Sequence, residues 1–256
     1  FQPLMQQDVQ RITAEQVQRE ISQMALEGKS RKYIANAVGL LSSVLRVYAP
    51  EVKLDVRLPQ RKKVEPRKIE DEEIGAIMSA VRGTEIELPV LMGLWLGMRM
   101  SEIRGARFED IRKGRLHICR AVVTDVDGKP AVKPPKTFSG DRWVDLPQEI
   151  LSLIAAQGRS EGYIVELSGT AIYKRFTRAL EKAGIEHCRF HDLRHANAAV
   201  MVRLGIDSRY AQERNGWASD RMYKQVYGYT MGDKMSDVSA SIDSYFTDKF
   251  ADKAGK

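Results

Sequence analysis

The stretch HDLRHANAAV, residues 191–200, is the point from which this chain is best read. It predicts a helix over residues 192–204, with His191 at its start. His191 and Arg194 lie three apart, on one helix face and close to the N-terminus. Imidazole, guanidinium and the positive end of the helix dipole then converge on one spot suited to an anion. His191 and His195 are four apart, a spacing that can bind zinc. No Glu follows His191 directly and no third ligand is evident, so no metal is expected there.

Three further stretches carry chemistry-bearing residues. In GMRMSEIRGARFEDI, residues 97–111, Arg99 follows the break after an apolar helix and Glu102 stands three residues on, in a new short helix. A guanidinium held by packed backbone on both sides is a ready fork for phosphate oxygens. Read alone, the stretch favours a surface arginine paired with Glu102. In PPKTFSGDRWVDLP, residues 134–147, Lys136 sits between a rigid Pro-Pro and a flexible Ser-Gly. An ammonium lowered onto a ligand by such a turn can protonate a leaving alkoxide, although most turn lysines are merely solvated. In NGWASDRMYKQVYGYT, residues 215–230, Trp217 follows a helix-ending glycine, with tyrosines at 223, 227 and 229. Taken alone, these aromatics pack a pair of C-terminal helices.

The rest of the chain supplies the frame. Helices are predicted over residues 12–27, with Thr13 and Gln16 as a capping pair, and over residues 30–48, capped by Ser30 and ended by Pro50. A helix over 71–81 follows. The next, 86–96, is apolar on nearly all sides, hence buried, and is terminated by Gly97. Strands are expected over 115–123 and 142–146 with a turn at Asp127-Gly128. Further helices are expected over 147–157, 170–183, 208–215 and 220–226.

Among 256 residues, 43% are hydrophobic and 29% charged, which excludes a disordered or collagen-like chain, and no apolar run is long enough to span a bilayer. Two cysteines, Cys119 and Cys188, supply no disulfide framework, so a reducing, cytoplasmic setting is expected. The chain opens at Phe1 without Met or a leader pattern and is expected to be part of a longer protein. Of the net charge of +7, residues 1–69 carry +6, with a dense run at Arg61, Lys62, Lys63, Arg67 and Lys68. Such a run neutralises backbone phosphates, and equally describes a solvated basic tail; Pro59 and Pro66 oppose a continuous membrane-surface helix.

Taken in order, the four stretches resemble the tyrosine recombinases, especially the integrases of phages and mobile elements. Arg99 in its Gly-x-Arg-x-Ser-Glu setting is similar to the family's first active-site arginine, Lys136 to its hairpin lysine, and His191 and Arg194 to its His-x-x-Arg motif. Trp217 falls where the family carries His or Trp, and Tyr227, ten residues on, has the nucleophile's spacing. Tyr229 is a neighbouring alternative. The resemblance implies an α+β, mostly helical protein. Residues 1–53 would be part of a helical, DNA-binding core-binding domain, and 54–69 a basic linker. Residues 70–232 would form a mixed catalytic domain with a small antiparallel sheet, and 233–256 a tail that is either exchanged between protomers or folded back on its own domain. It also implies Glu102 as a buttress, double-stranded DNA as partner, a homotetramer on two duplexes, possible accessory DNA-bending proteins, no cofactor and a bacterial cytoplasm. Other readings stay open from sequence: a type IB topoisomerase-like relaxer, a DNA-binding protein without catalysis, and a zinc hydrolase using His191 and His195.

Overall fold

The structure, a computed structural model, describes residues 2–61, 67–135, 137–221 and 223–224. Lys62, Lys63, Lys136, Tyr227, Tyr229 and the segment 233–256 therefore lie outside the described residues. The chain divides into two compact units, one up to Pro66 and one from Arg67 onward. Among the described residues no helix is long and apolar enough to cross a membrane.

The first unit is built on two helices, α1 (Ala14–Leu26) and α2 (Arg31–Tyr48). Thr13 caps α1 reciprocally: its hydroxyl accepts from the Gln16 N–H at 3.3 Å, and its own N–H donates to the Gln16 side chain at 3.0 Å. Ser30 caps α2 by accepting from the Tyr33 N–H at 3.2 Å. Val17 and Ile21 of α1 bury against Ile34 and Leu45 of α2. The stretch expected to be a linker from residue 54 begins on this core: Leu54, Val56 and Leu58 pack against it. Gln18 fastens that stretch through both groups of the Arg57 backbone, at 2.8 and 3.2 Å. Its apolar residues alternate, so one side of an extended chain covers the helices.

The second unit opens with α3 (Asp71–Val81), whose first turn carries Asp71, Glu72 and Glu73 against the positive end of its dipole. Helix α4 (Glu87–Leu94) is buried from Leu88 through Leu94 and packs against α3, the short α5 (Met100–Gly105), α6 (Gln148–Ala155) and α8 (Asp192–Arg203). Helix α7 (Gly169–Lys182) lies on α3, with Phe176 fully buried and its ring edge-on to Phe190 at 5.7 Å. Helix α9 (Ser208–Asn215) follows α8, and beyond it Arg221, Tyr223 and Lys224 are again helical.

The strand region differs from expectation. The single strand expected over 115–123 is two, β2 (Arg115–Ile118) and β3 (Ala121–Thr124), in different sheets. Strand β2 is the centre of an antiparallel sheet between β1 (Ile111–Arg112) and β5 (Arg142–Asp145), with Leu116 opposite Val144 and Ile118 opposite Arg142. Strand β3 pairs across the Asp127-Gly128 turn with β4 (Pro130–Lys133), an element the sequence reading did not contain. The chain is diverted at Arg120. Its guanidinium is drawn to Asp110, and its carbonyl presses so closely on α5 that a Cβ at Gly105 would stand 2.7 Å from it. The β4 strand escaped notice because it begins with proline and is mostly exposed, as suits an edge.

Candidate active site

The site assembles where α4 ends. The chain reverses at Gly97, which adopts φ +63°, and the Met98 N–H returns to the Met92 carbonyl at 3.2 Å. This left-handed turn needs glycine, and the surroundings need it more: a Cβ there would stand 1.9 Å from Oδ1 of Asn215 and 2.8 Å from Oδ1 of Asn197. Two residues later Arg99 caps α5, and its N–H donates to Oε2 of Glu102 at 3.0 Å. The Arg99 side chain folds onto the same carboxylate, Nη1 to Oε1 at 2.5 Å, while keeping 29% of its surface exposed.

Glu102 is 2% exposed and faces three guanidiniums. Besides Arg99, Nη2 of Arg142 donates to Oε2 at 3.1 Å and Nη1 of Arg194 lies 4.0 Å from the same oxygen. Burial works to raise the Glu102 pKa, but Arg142 and Arg99 outweigh it and hold the carboxyl below the usual range. Burial, opposed by Glu102, lowers the pKa of Arg142. Burial and then the charge of Arg99 bring Arg194 down to about 9, still a cation at neutral pH. Three cations and one anion leave the cluster at +2, an unusual concentration of positive charge for a nearly dry interior.

The arginines are held by the end of α9. Arg142 Nε donates to the Arg214 carbonyl at 2.9 Å, Arg194 Nη2 to that of Asn215, and Arg99 Nη2 to that of Gly216 at 3.4 Å. Three consecutive carbonyls at the negative end of a helix thus receive one guanidinium each. Arg194 also donates to the Gly97 carbonyl, tying α8 to the end of α4. Gly216, at φ +60°, permits the crowding: a Cβ there would stand 2.6 Å from the Ser139 carbonyl and 2.8 Å from Nη1 of Arg142.

His191 lies at the mouth of this cluster, immediately before α8, and is exposed. Burial of its packed side, then coupling to the neighbouring His195 and the charge of Arg194, push its pKa down to about 4, so the imidazole is neutral at physiological pH. The two histidine rings meet edge to face at 5.0 Å. Asp192, engaged by Arg189 at 2.8 Å, raises the His191 pKa but is outweighed by burial and the other neighbours. Trp217 is 8% exposed and lies under the Arg194 guanidinium, 5.8 Å from ring centre to Cζ.

The structure therefore brings together Arg99, Glu102, His191, Arg194 and Trp217 from positions more than a hundred residues apart. Of the expected basic run, Arg61 is exposed in the first unit. Arg67 is withdrawn from it, its guanidinium committed to Glu73 at 2.5 Å and to Glu186 at 3.3 Å. Sequence reasoning missed Arg142, taken merely as the start of a strand. Its signal was present: in RWVDL the alternation that buries Val144 buries Arg142 as well. A charged residue on a buried strand face requires a partner, and Glu102 is that partner.

A mostly helical unit with small antiparallel sheets and this cationic floor has the fold of a tyrosine recombinase catalytic domain. The profile of the phage integrase family matches residues 67–230, and the chain belongs to that family, the tyrosine-type site-specific recombinases. It is 23% identical over a 276-residue alignment to the tyrosine recombinase XerC-like protein of Caldanaerobacter subterraneus, covering 90% of this chain and 71% of that one. It is 30% identical over 131 residues to an integrase of Saccharopolyspora erythraea; that match takes in 43% of this chain and 30% of the relative. The Tn1549 transposon integrase, solved in complex with transposon right end DNA, superposes with a TM-score of 0.75 at 14% identity, over 93% of this chain and 87% of that one.

Proposed function

We propose that this protein cuts and rejoins double-stranded DNA at specific sites through a covalent bond between Tyr227 and a 3′ phosphate, and so integrates or excises a phage or mobile element. The tyrosine oxygen attacks the scissile phosphorus, the P–O5′ bond breaks, and a 5′ hydroxyl leaves. The phosphoester bond is conserved, so the cut is reversible without ATP. Negative charge grows on the non-bridging oxygens, and Arg99 and Arg194 stabilise it. Lys136 gives a proton to the departing 5′ oxygen. His191, neutral at physiological pH, is able to accept the tyrosine's proton, and Trp217 packs the site beneath Arg194 and offers its indole N–H. Arg61, Lys62, Lys63 and Lys68 contact DNA phosphates. A homotetramer on two duplexes, accessory DNA-bending proteins, exchange of residues 233–256 between protomers and action in a bacterial cytoplasm complete the reading.

The observation that carries it is the convergence of Arg99 and Arg194 on buried Glu102, with His191 and Trp217 at its margin. The residues that follow Lys136 border the same place, since the Ser139 carbonyl faces Gly216. Incubation with a suicide DNA substrate should give a detergent-resistant adduct whose nucleotide maps by mass spectrometry to Tyr227. Tyr227→Phe should abolish the adduct and keep DNA binding. An adduct on Tyr229, or none from the parent chain, overturns the proposal.

A further inference from the structure

We infer that Arg142 is a positioning residue for strand cleavage: it occupies the charge of Glu102, so that the carboxylate orients Arg99 without neutralising Arg194. This rests on the reaction proposed above and adds to it a further charged member of the site, one that does not touch DNA.

Arg142 cannot serve as a phosphate ligand. Its side chain is 4% exposed, and each of its three nitrogens already has a partner: Arg214 and Gly140 through their carbonyls and Glu102 through Oε2. What it does is visible in how Glu102 divides its attention. Oε1 is taken by Arg99 at 2.5 Å. Oε2 is taken by the Arg99 N–H and by Arg142, and Arg194 is left at 4.0 Å, outside hydrogen-bond range. Both Arg194 terminal nitrogens point instead to carbonyls, which orient a cation and leave its charge uncancelled. Without Arg142, Oε2 would be a buried, under-satisfied carboxylate oxygen within a short side-chain movement of Arg194. A close pair there would draw that guanidinium away from an incoming phosphate.

The same side chain ties three pieces of the site into one body. Gly140 belongs to the turn that follows Lys136, Arg214 to the end of α9 just before Trp217, and Glu102 to α5 beside Arg99. A guanidinium is the one side chain with donors in the fork geometry this needs. Lysine would keep the charge and lose two of the three ties.

The test compares single-turnover adduct formation on a suicide DNA substrate by the full chain and by Arg142→Gln, Arg142→Lys and the double variant Glu102→Gln/Arg142→Gln, with DNA affinity and thermal unfolding measured in parallel. Arg142→Gln removes the charge but keeps an amide donor. It should slow cleavage about thirtyfold or more, toward the loss typical of a missing oxyanion donor, with DNA affinity unchanged. The double variant removes both charges of the buried pair and should recover about tenfold of that loss, read well below the melting temperature of either variant so that a change in the folded fraction does not produce it. An Arg142→Gln rate within about threefold of the parent, or a double variant no faster than the single one, overturns the inference. Should Arg142→Gln fail to fold, Arg142→Lys decides: a rate within about thirtyfold of the parent supports the charge argument and a larger loss in a folded, DNA-binding protein refutes it. A parent chain that forms no adduct overturns the proposed reaction together with this inference; an active parent matched by Arg142→Gln overturns this inference alone.

Discussion

Gly97→Ala is the substitution whose effect follows most directly from the geometry. Two costs add. Alanine at φ +63° pays the left-handed penalty of about 1–2 kcal/mol. The new methyl would also stand 1.9 Å from Oδ1 of Asn215, a fully buried side chain whose amide bonds Asn197 at 3.3 Å and the Ala211 carbonyl at 3.3 Å. Displacing it is an overpacking event of about 1–3 kcal/mol. Gly114→Ala separates the two, because Gly114 has φ +71° and nothing within 4 Å of the position its Cβ would take. Gly97→Ala should therefore be the less stable by about 1–3 kcal/mol, which at about 2–4 °C per kcal/mol for a unit of this size is a gap of roughly 2–12 °C in melting temperature. Circular dichroism melts of the two variants measure it. Cleavage should fall as well, since the Gly97 carbonyl is one of the two that hold Arg194. Equal melting of the two variants would refute the steric argument and leave only backbone strain.

Glu102→Gln leaves Arg142 buried without its counter-charge and should destabilise the second unit by about 3–5 kcal/mol in urea unfolding; a loss below about 1 kcal/mol would mean the carboxylate is not what offsets these guanidiniums. His191 has a folded pKa of about 4 against an ordinary 6.5, so the unfolded chain binds more protons between those values. Its contribution to stability is then fully present above about pH 6.5 and lost as pH falls toward 4, and its ring resonances in NMR should not titrate above about pH 5.5. A midpoint near 6.5 in the free protein would contradict the packing and charge described for it. Ser30→Ala removes the α2 cap and should cost about 1 kcal/mol in the first unit, read by chemical denaturation; no change would mean the cap bond is not formed in solution.

The parts of the fold legible in the sequence are those whose causes are local. Thr13 with Gln16 and Ser30 announce the starts of α1 and α2 because a capping bond closes within three residues. The apolar run of α4 and its end at Gly97 are equally local. The sheet was legible in part, because where a strand stops depends on distant contacts. Cys119 and Arg120 look like a continuation of β2, and only the approach of α5 and the pull of Asp110 turn the chain into a second sheet. At the candidate site the motif residues stood out by type and spacing. Arg142, Asn197 and Asn215 did not, since each acts through a partner 18 or more residues away, and a polar residue in a strand or helix reads as solvated until its burial is known.

The placement of α9 explains how three like charges are tolerated so close together. In the proposed reaction Arg99 and Arg194 meet a phosphate, and a carboxylate on each would compete with it; among the described residues Glu102 is the one acid facing the three arginines, and Arg142 shares it. The remaining restraint comes from neutral dipoles. Arg214, Asn215 and Gly216 present successive carbonyls at the C-terminal end of α9, and Gly97 and Gly140 add two more from turns. A helix end carries about half an elementary negative charge spread over such carbonyls, enough to orient guanidiniums while leaving most of their charge for an incoming anion. The arrangement also accounts for the glycines. A side chain at position 216 would press on the Arg142 guanidinium, and one at position 97 on the buried amides of Asn215 and Asn197, so the sharp turns there are as much a part of the cation site as the arginines.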